Sequence, residues 1–214
     1  MTTHTIFLIR HGTTEWMEQG IVHGSLDSPL SEQGRKEAQQ TAAALQSLNI
    51  TRIFSSPQGR ALETAGIIAQ KLGGIPITQL DNLREMDLGS KEGKKDIYSK
   101  VKRHPLLAFI LLPVWFIAFG ISGEKQSLLK QRIMKAWTDI LSEKTDGNAA
   151  VVSHGIALNA LTTQLPYDTQ VRKKKRQNFK PCSITTVSID EHQQAAIKDI
   201  NNTKHIEAEH NHDH

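Results

Sequence analysis

Ile6-Phe7-Leu8-Ile9-Arg10-His11-Gly12 and Ala149-Ala150-Val151-Val152-Ser153-His154-Gly155 share one layout: an apolar run, a polar residue, then His-Gly. Runs this short, rich in Ile and Val and apolar on both faces, read as buried strands of a parallel sheet. In open α/β sheets, ligands bind in the crevice beyond the carboxyl ends of the strands. Two histidines delivered there by two strands can converge on one small group. A lone histidine is most often satisfied by ordinary hydrogen bonds, but two in the same setting point to an imidazole-based active site.

Working outward, Gly12 to Leu30 reads as a loop punctuated by Gly20, Gly24 and Ser28-Pro29. Ser31 then reads as an N-cap, with Ala38, Ala42, Leu45 and Leu48 following at helical spacing. Thr51 to Ser56 predicts a second strand running into Pro57-Gln58-Gly59-Arg60, from which a helix continues to Leu72 and stops at Gly73-Gly74. Ile75-Pro76-Ile77 predicts a third short strand, and Gln126 to Leu141 a helix ahead of the His154 strand. Another helix is expected after Gly155, and Ser183 to Ile189 reads as the final strand. This alternation predicts an α/β protein, a three-layer α/β/α sandwich with a mostly parallel central sheet. One domain is expected over 1–206, followed by an irregular His-rich tail over 207–214.

Composition sets the bounds. The 214 residues are 38% hydrophobic, enough for one substantial core. A net charge of +4 and a pI near 9.2 suit an anionic small substrate without specifying one. The single cysteine, Cys182, excludes an internal disulfide, fits a reducing compartment, and has no nucleophile or metal motif around it. Met1-Thr2-Thr3-His4 runs straight into the first strand, so the expected location is cytoplasmic.

Arg10-His11-Gly12-Thr13-Thr14-Glu15-Trp16 resembles the opening block of the histidine phosphatase superfamily, also called phosphoglycerate mutase-like. Asp27-Ser28-Pro29-Leu30-Ser31 with Gly34 matches that family's approach to its first helix. Ser55-Ser56-Pro57 with Gly59-Arg60-Ala61-Leu62-Glu63-Thr64-Ala65 resembles its second-arginine block. Leu83-Arg84-Glu85 with Gly89 looks like its acid block, and Val152-Ser153-His154-Gly155 like its second-histidine block. Gly123-Glu124 and the Asn201 to His205 stretch also have counterparts there. The pattern is most like the cofactor-independent, broad-specificity phosphatase branch. The resemblance implies that His11 is the nucleophile, that Arg10, Arg60 and His154 clamp the phosphate, and that Glu85 is the proton donor.

Chemistry agrees with that assignment. Phosphoryl transfer needs an in-line nucleophile and positive charge around the equatorial oxygens. His11 can attack through one ring nitrogen if a backbone carbonyl holds the proton of the other. Arg10 and Arg60 offer planar donor forks that match phosphate oxygens, and a protonated His154 adds a third donor. Glu85 can protonate the leaving oxygen and then deprotonate the water that cleaves the phosphohistidine. Asp87 and Glu15 are the competing carboxylates, and a surface pairing of Glu85 with Arg84 is the structural alternative. No metal or cofactor is implied, since arginines carry the charge.

Departures from the family pattern bear on substrate and rate. Met17 stands where the family usually has a phosphate-holding asparagine, and Ser25 where a glutamine is common. Loss of one neutral donor costs on the order of 1–3 kcal/mol of transition-state binding. Leu106 to Ile121 carries no charge, with Lys100, Lys102 and Arg103 ahead of it. A single membrane crossing there would separate Glu85 from His154, so the segment 105–123 is expected to be a lid, a homodimer surface or a peripheral membrane contact. Arg172-Lys173-Lys174-Lys175-Arg176 is expected to be a solvated loop, with attraction to anionic lipid as the alternative, and no nucleic acid is expected. The expected activity is hydrolysis of a phosphorylated small molecule. A phosphoglycerate mutase-type transferase, or a low-turnover binding protein retaining the fold, is the alternative.

Overall fold

The computed structural model describes residues 4–95, 123–143, 146–171 and 177–207. Its centre is a six-stranded sheet. The strands are β1 (His4–Arg10), β2 (Ile50–Ser55), β3 (Ile77–Gln79), β4 (Asn148–Ser153), β5 (Ile184–Ile189) and β6 (Ala195–Asn202), in the order β3-β2-β4-β1-β5-β6. The first four are mutually parallel, while β5 and β6 add antiparallel strands at one edge. The helices are α1 (Glu15–Gln19), α2 (Glu32–Leu45), α3 (Gly59–Lys71), α4 (Gln126–Ser142), α5 (Gly155–Thr162) and α6 (Lys204–Glu207).

Strand alternation divides the core into two layers. Ile6 and Leu8 of β1, with Ala149 and Val151 of β4, face Leu129, Ile133 and Trp137 of α4 and Leu158 and Leu161 of α5. Phe7 and Ile9, with Ala150 and Val152, face Ala42 and Leu45 of α2 and Ala61, Ala65 and Ile68 of α3. Both faces of β1 and β4 are therefore covered, which is why their sequences are apolar at successive positions. The result is the expected α/β/α sandwich with a mostly parallel sheet.

Three details differ from the sequence reading. The third strand is Ile77–Gln79, shifted past Pro76, which lacks a donor but whose carbonyl accepts from Ile53 N–H at 3.1 Å. The loop after Gly12 contains the short helix α1, N-capped by Thr14, whose hydroxyl accepts from Met17 N–H. Ser183 to Ile189 is not the final strand, since β6 pairs beyond β5. The segments 105–122 and 172–176 and the tail 208–214 lie outside the described residues. Among the described residues, no helix is long and apolar enough to cross a membrane.

The sheet register places the ends of three parallel strands side by side. Arg10 is level with Ser153 and Ser55 with Val152, so β4 lies between β1 and β2. Past the ladder, His11 N–H donates to Ser153 O at 2.9 Å and Ser56 N–H to Val152 O at 3.0 Å. His11, Ser56 and His154 thus leave the sheet together.

Candidate active site

His11 is buried, 3% exposed, and its Nδ1 lies 2.8 Å from Gly12 O. A carbonyl only accepts, so Nδ1 carries the proton and Nε2 keeps its lone pair. The guanidinium of Arg60 donates to that lone pair through Nε at 3.3 Å. Burial, then the charges of Arg10 and Arg60, hold His11 well below the ordinary histidine value, which keeps the ring neutral.

His154 stands opposite, its ring centroid 5.1 Å from that of His11. Its Nε2 lies 2.8 Å from Ser56 Oγ, which also accepts from Gln58 N–H at 3.3 Å. The buried Ser56 proton needs an acceptor, and His154 Nε2 meets that need, so Nδ1 carries the His154 proton. That Nδ1 is buried and without a partner among the described residues. Burial, then Arg60, His11 and Arg10, hold His154 well below the ordinary histidine value as well.

Arg10 and Arg60 complete the constellation. Arg10 donates through Nη1 to Phe179 O and through Nη2 to Met17 Sδ at 3.7 Å, while its buried Nε has no partner among the described residues. Arg60, 1% exposed, donates to Gly24 O at 3.0 Å, Leu26 O at 2.8 Å and Asp27 Oδ1 at 2.9 Å. Asp27 also accepts the N–H groups of Gly59 and Arg60 at the start of α3, so it caps the helix that carries the arginine. Burial raises the Asp27 carboxyl, but the hydrogen bond and charge of Arg60 outweigh it and hold Asp27 below the ordinary carboxylate value.

Glu85 does not pair with Arg84. Its Oε1 accepts from Ala157 N–H at 3.0 Å and Met86 N–H at 2.9 Å, and its Oε2 accepts from Ile156 N–H at 3.0 Å. The carboxylate therefore sits on the N-terminus of α5, directly after His154. Its charge acts on both Arg10 and Arg60. The rival carboxylates are elsewhere: Asp87 turns to Gly89 N–H at 2.6 Å, and Glu15 is exposed on α1. The structure thus gathers Arg10, His11, Arg60, Glu85 and His154 around one cleft at the carboxyl end of the sheet.

A sequence model of the histidine phosphatase superfamily (branch 1) matches residues 6–203. The chain belongs to the histidine phosphatase superfamily. Two relatives, each named probable phosphoglycerate mutase GpmB, are 32% identical in Salmonella arizonae and 31% in Salmonella paratyphi A, over 207 residues and 95% of both chains. Among solved structures, Bacillus stearothermophilus YhfR is 29% identical with a TM-score of 0.74, covering 95% of this chain and 99% of that one. A phosphoglycerate mutase from Bacillus anthracis, 24% identical with a TM-score of 0.76 over 96% of each chain, shares the fold.

Several residues of this histidine phosphatase site were not singled out from sequence. His23 lies beside the cleft, its ring centroid 6.4 Å from His11 and 5.3 Å from Trp16. Burial and then Arg60 lower it to about 4, against a smaller upward pull from Asp27. Ser25, singled out as a departure from the family pattern, donates through its hydroxyl and its amide to Glu92, at 2.6 and 2.7 Å. Gln58, 4% exposed, ties Gly24 O and Ser25 O to Glu85 N–H through its amide. A buried Gln in a loop carries no periodicity, so the quoted Pro57-Gln58-Gly59-Arg60 stretch gave Gln58 no role of its own. Asp27 lay inside a quoted block, but its bond to Arg60 spans 33 residues.

Close backbone packing fixes the loop after His11 itself. A Cβ on Gly34 would lie 1.9 Å from Thr13 O, and one on Gly12 would lie 2.6 Å from Gly34 O. Only glycine at both positions lets the first turn of α2 press against the loop after His11. Glu37 of α2 then accepts from Thr13 N–H at 2.9 Å.

Proposed function

We propose that this chain is a phosphomonoesterase that works through a phosphohistidine on His11. The observation that carries this reading is the tautomer of His11: Gly12 O takes Nδ1–H and leaves Nε2 unprotonated, its lone pair accepting from Arg60 Nε until the phosphoryl oxygens take that donor. The buried Nε–H of Arg10 and Nδ1–H of His154, without partners among the described residues, supply donors for the phosphoryl oxygens. Their desolvation is offset when an anion arrives, and the dianion favours protonation of His154.

In the reaction, His11 Nε2 forms a bond to phosphorus as the bond to the ester oxygen breaks. Glu85 acts as the general acid, passing a proton to that oxygen as the ester bond breaks. Among the described residues Oε2 accepts only from Ile156 N–H, which leaves a lone pair for this proton. Water then attacks phosphorus, its proton passes to Glu85, and the N–P bond breaks to release phosphate.

A phosphoryl-transferring mutase is the second reading, favoured by the names of the Salmonella relatives. Hydrolysis is preferred because Leu26, in the loop whose carbonyls hold Arg60, presents an apolar side chain, 45% exposed, beside the phosphate-clamp residue. The uncharged stretch from Leu106 to Ile121 follows the acid block and argues the same way. Product analysis separates the readings. Free phosphate from alkyl and aryl esters supports the phosphatase, whereas exchange between phosphoglycerates without net hydrolysis supports the mutase. His11→Ala is expected to abolish either activity in a folded protein, and retained turnover overturns both.

A further inference from the structure

Arg132 lies on α4, outside the cleft, yet every N–H of its guanidinium is engaged around the acid loop. Nη1 donates to Asn82 O at 2.9 Å and Arg84 O at 2.7 Å, and Nη2 to Glu85 O at 3.0 Å. The remaining donors grip Glu124 in a two-pronged pair, Nε to Oε1 at 2.7 Å and Nη2 to Oε2 at 2.8 Å. Glu124 N–H in turn donates to Asp87 O at 2.9 Å. Carbonyls on both sides of Glu85 are thereby fixed to one ion pair.

The loop needs such an anchor. Residues 85–88 belong to no helix or strand, so no ladder sets their position. The side chain of Glu85 is held by α5, its amide by Gln58 and its carbonyl by Arg132. A proton donor works only when held within about 0.5 Å of its productive place. The fixed fork of arginine can span three carbonyls and a carboxylate at once, which the ammonium of lysine cannot. Glu124 neutralises the charge, so what reaches the loop is donor geometry rather than net field.

We propose that Arg132, oriented by Glu124, is a positioning residue that sets the Glu85 carboxyl against the leaving oxygen. The proposal rests on the reading of Glu85 as proton donor. General acid catalysis matters most for poor leaving groups, so displacing Glu85 produces a selective loss.

The test uses the full chain with p-nitrophenyl phosphate, an alkyl phosphate and orthovanadate. Arg132→Met is expected to lower kcat/KM, which reports the step that expels the leaving group, about 100-fold on the alkyl ester and less than about 3-fold on the nitrophenyl ester. Orthovanadate affinity should stay within about 2-fold, because the phosphate donors are untouched. Arg132→Lys should fall between, and Arg132→Met should add nothing on the alkyl ester in a Glu85→Gln background. If Arg132→Met does not fold, Glu124→Gln carries the same expectation at about 10-fold. Equal losses on both esters, or weakened vanadate binding, overturn the positioning role. Selectivity in Glu85→Gln but not in either clamp variant overturns this proposal alone. No selectivity in Glu85→Gln overturns the acid assignment and the proposal with it.

Discussion

Acidification should destabilise this protein through the buried histidines of its candidate site. His11 and His154 are 3% and 0% exposed, and both are held well below the ordinary value of 6.5. In the unfolded chain they titrate normally. Below pH 6.5 the unfolded state binds protons that the native state refuses, so stability is full above this pH and falls as pH drops. Each such imidazole costs about 1.4 kcal/mol between pH 8 and 5.5, or about 2.8 kcal/mol for the pair. Against a typical total of about 5–15 kcal/mol, that is a large share. His23, lowered to about 4, acts in the same direction but is partly exposed and adds less. His205 is also lowered by burial, whereas Asp27 loses its contribution only at more acid pH. Urea unfolding followed by tryptophan fluorescence at a series of pH values measures the slope. His11→Asn and His154→Asn should each remove about half of the pair's loss, and saturating phosphate should reduce it by giving His154 an anionic partner. A flat wild-type profile from pH 8 to 5.5, or variants parallel to a sloping one, refutes the reasoning.

Two further outcomes follow from contacts around the cleft. Gly34→Ala places a methyl group 1.9 Å from Thr13 O, so it should destabilise the fold by about 1–3 kcal/mol in chemical denaturation and depress kcat/KM by shifting the loop after His11. Met17→Asn replaces the thioether beside Arg10 Nη2 with an amide donor, and should raise kcat/KM by roughly 10-fold or more if the donor reaches the phosphoryl group, as steady-state kinetics will report.

The sandwich was legible because β1 and β4 are buried on both faces and therefore written in unbroken apolar residues. The same strands carry His11 and His154, so the core of the site came with the fold. β6 was not legible: only Ile197 of Ala195–Asn202 is buried, and register shifts interrupt its pairing with β5. Polar Lys198, Asp199, Asn201 and Asn202 hide any alternation. The second layer of the site was hidden for a different reason. Asp27, Gln58 and Arg132 act by side-chain to backbone bonds across 27 to 50 residues, and such contacts leave no local pattern. His23 sits in a loop where only the folded arrangement reveals its approach to His11.

The central claim is tested most directly by trapping the intermediate. A substrate carrying labelled phosphate is mixed with the enzyme, quenched in alkali within the first turnovers, and the label is mapped by peptide. The account predicts an acid-labile, alkali-stable phosphohistidine on His11 that disappears in His11→Ala together with turnover. Hydrolysis at an undiminished rate in His11→Ala, or label on any residue other than His11, would contradict it.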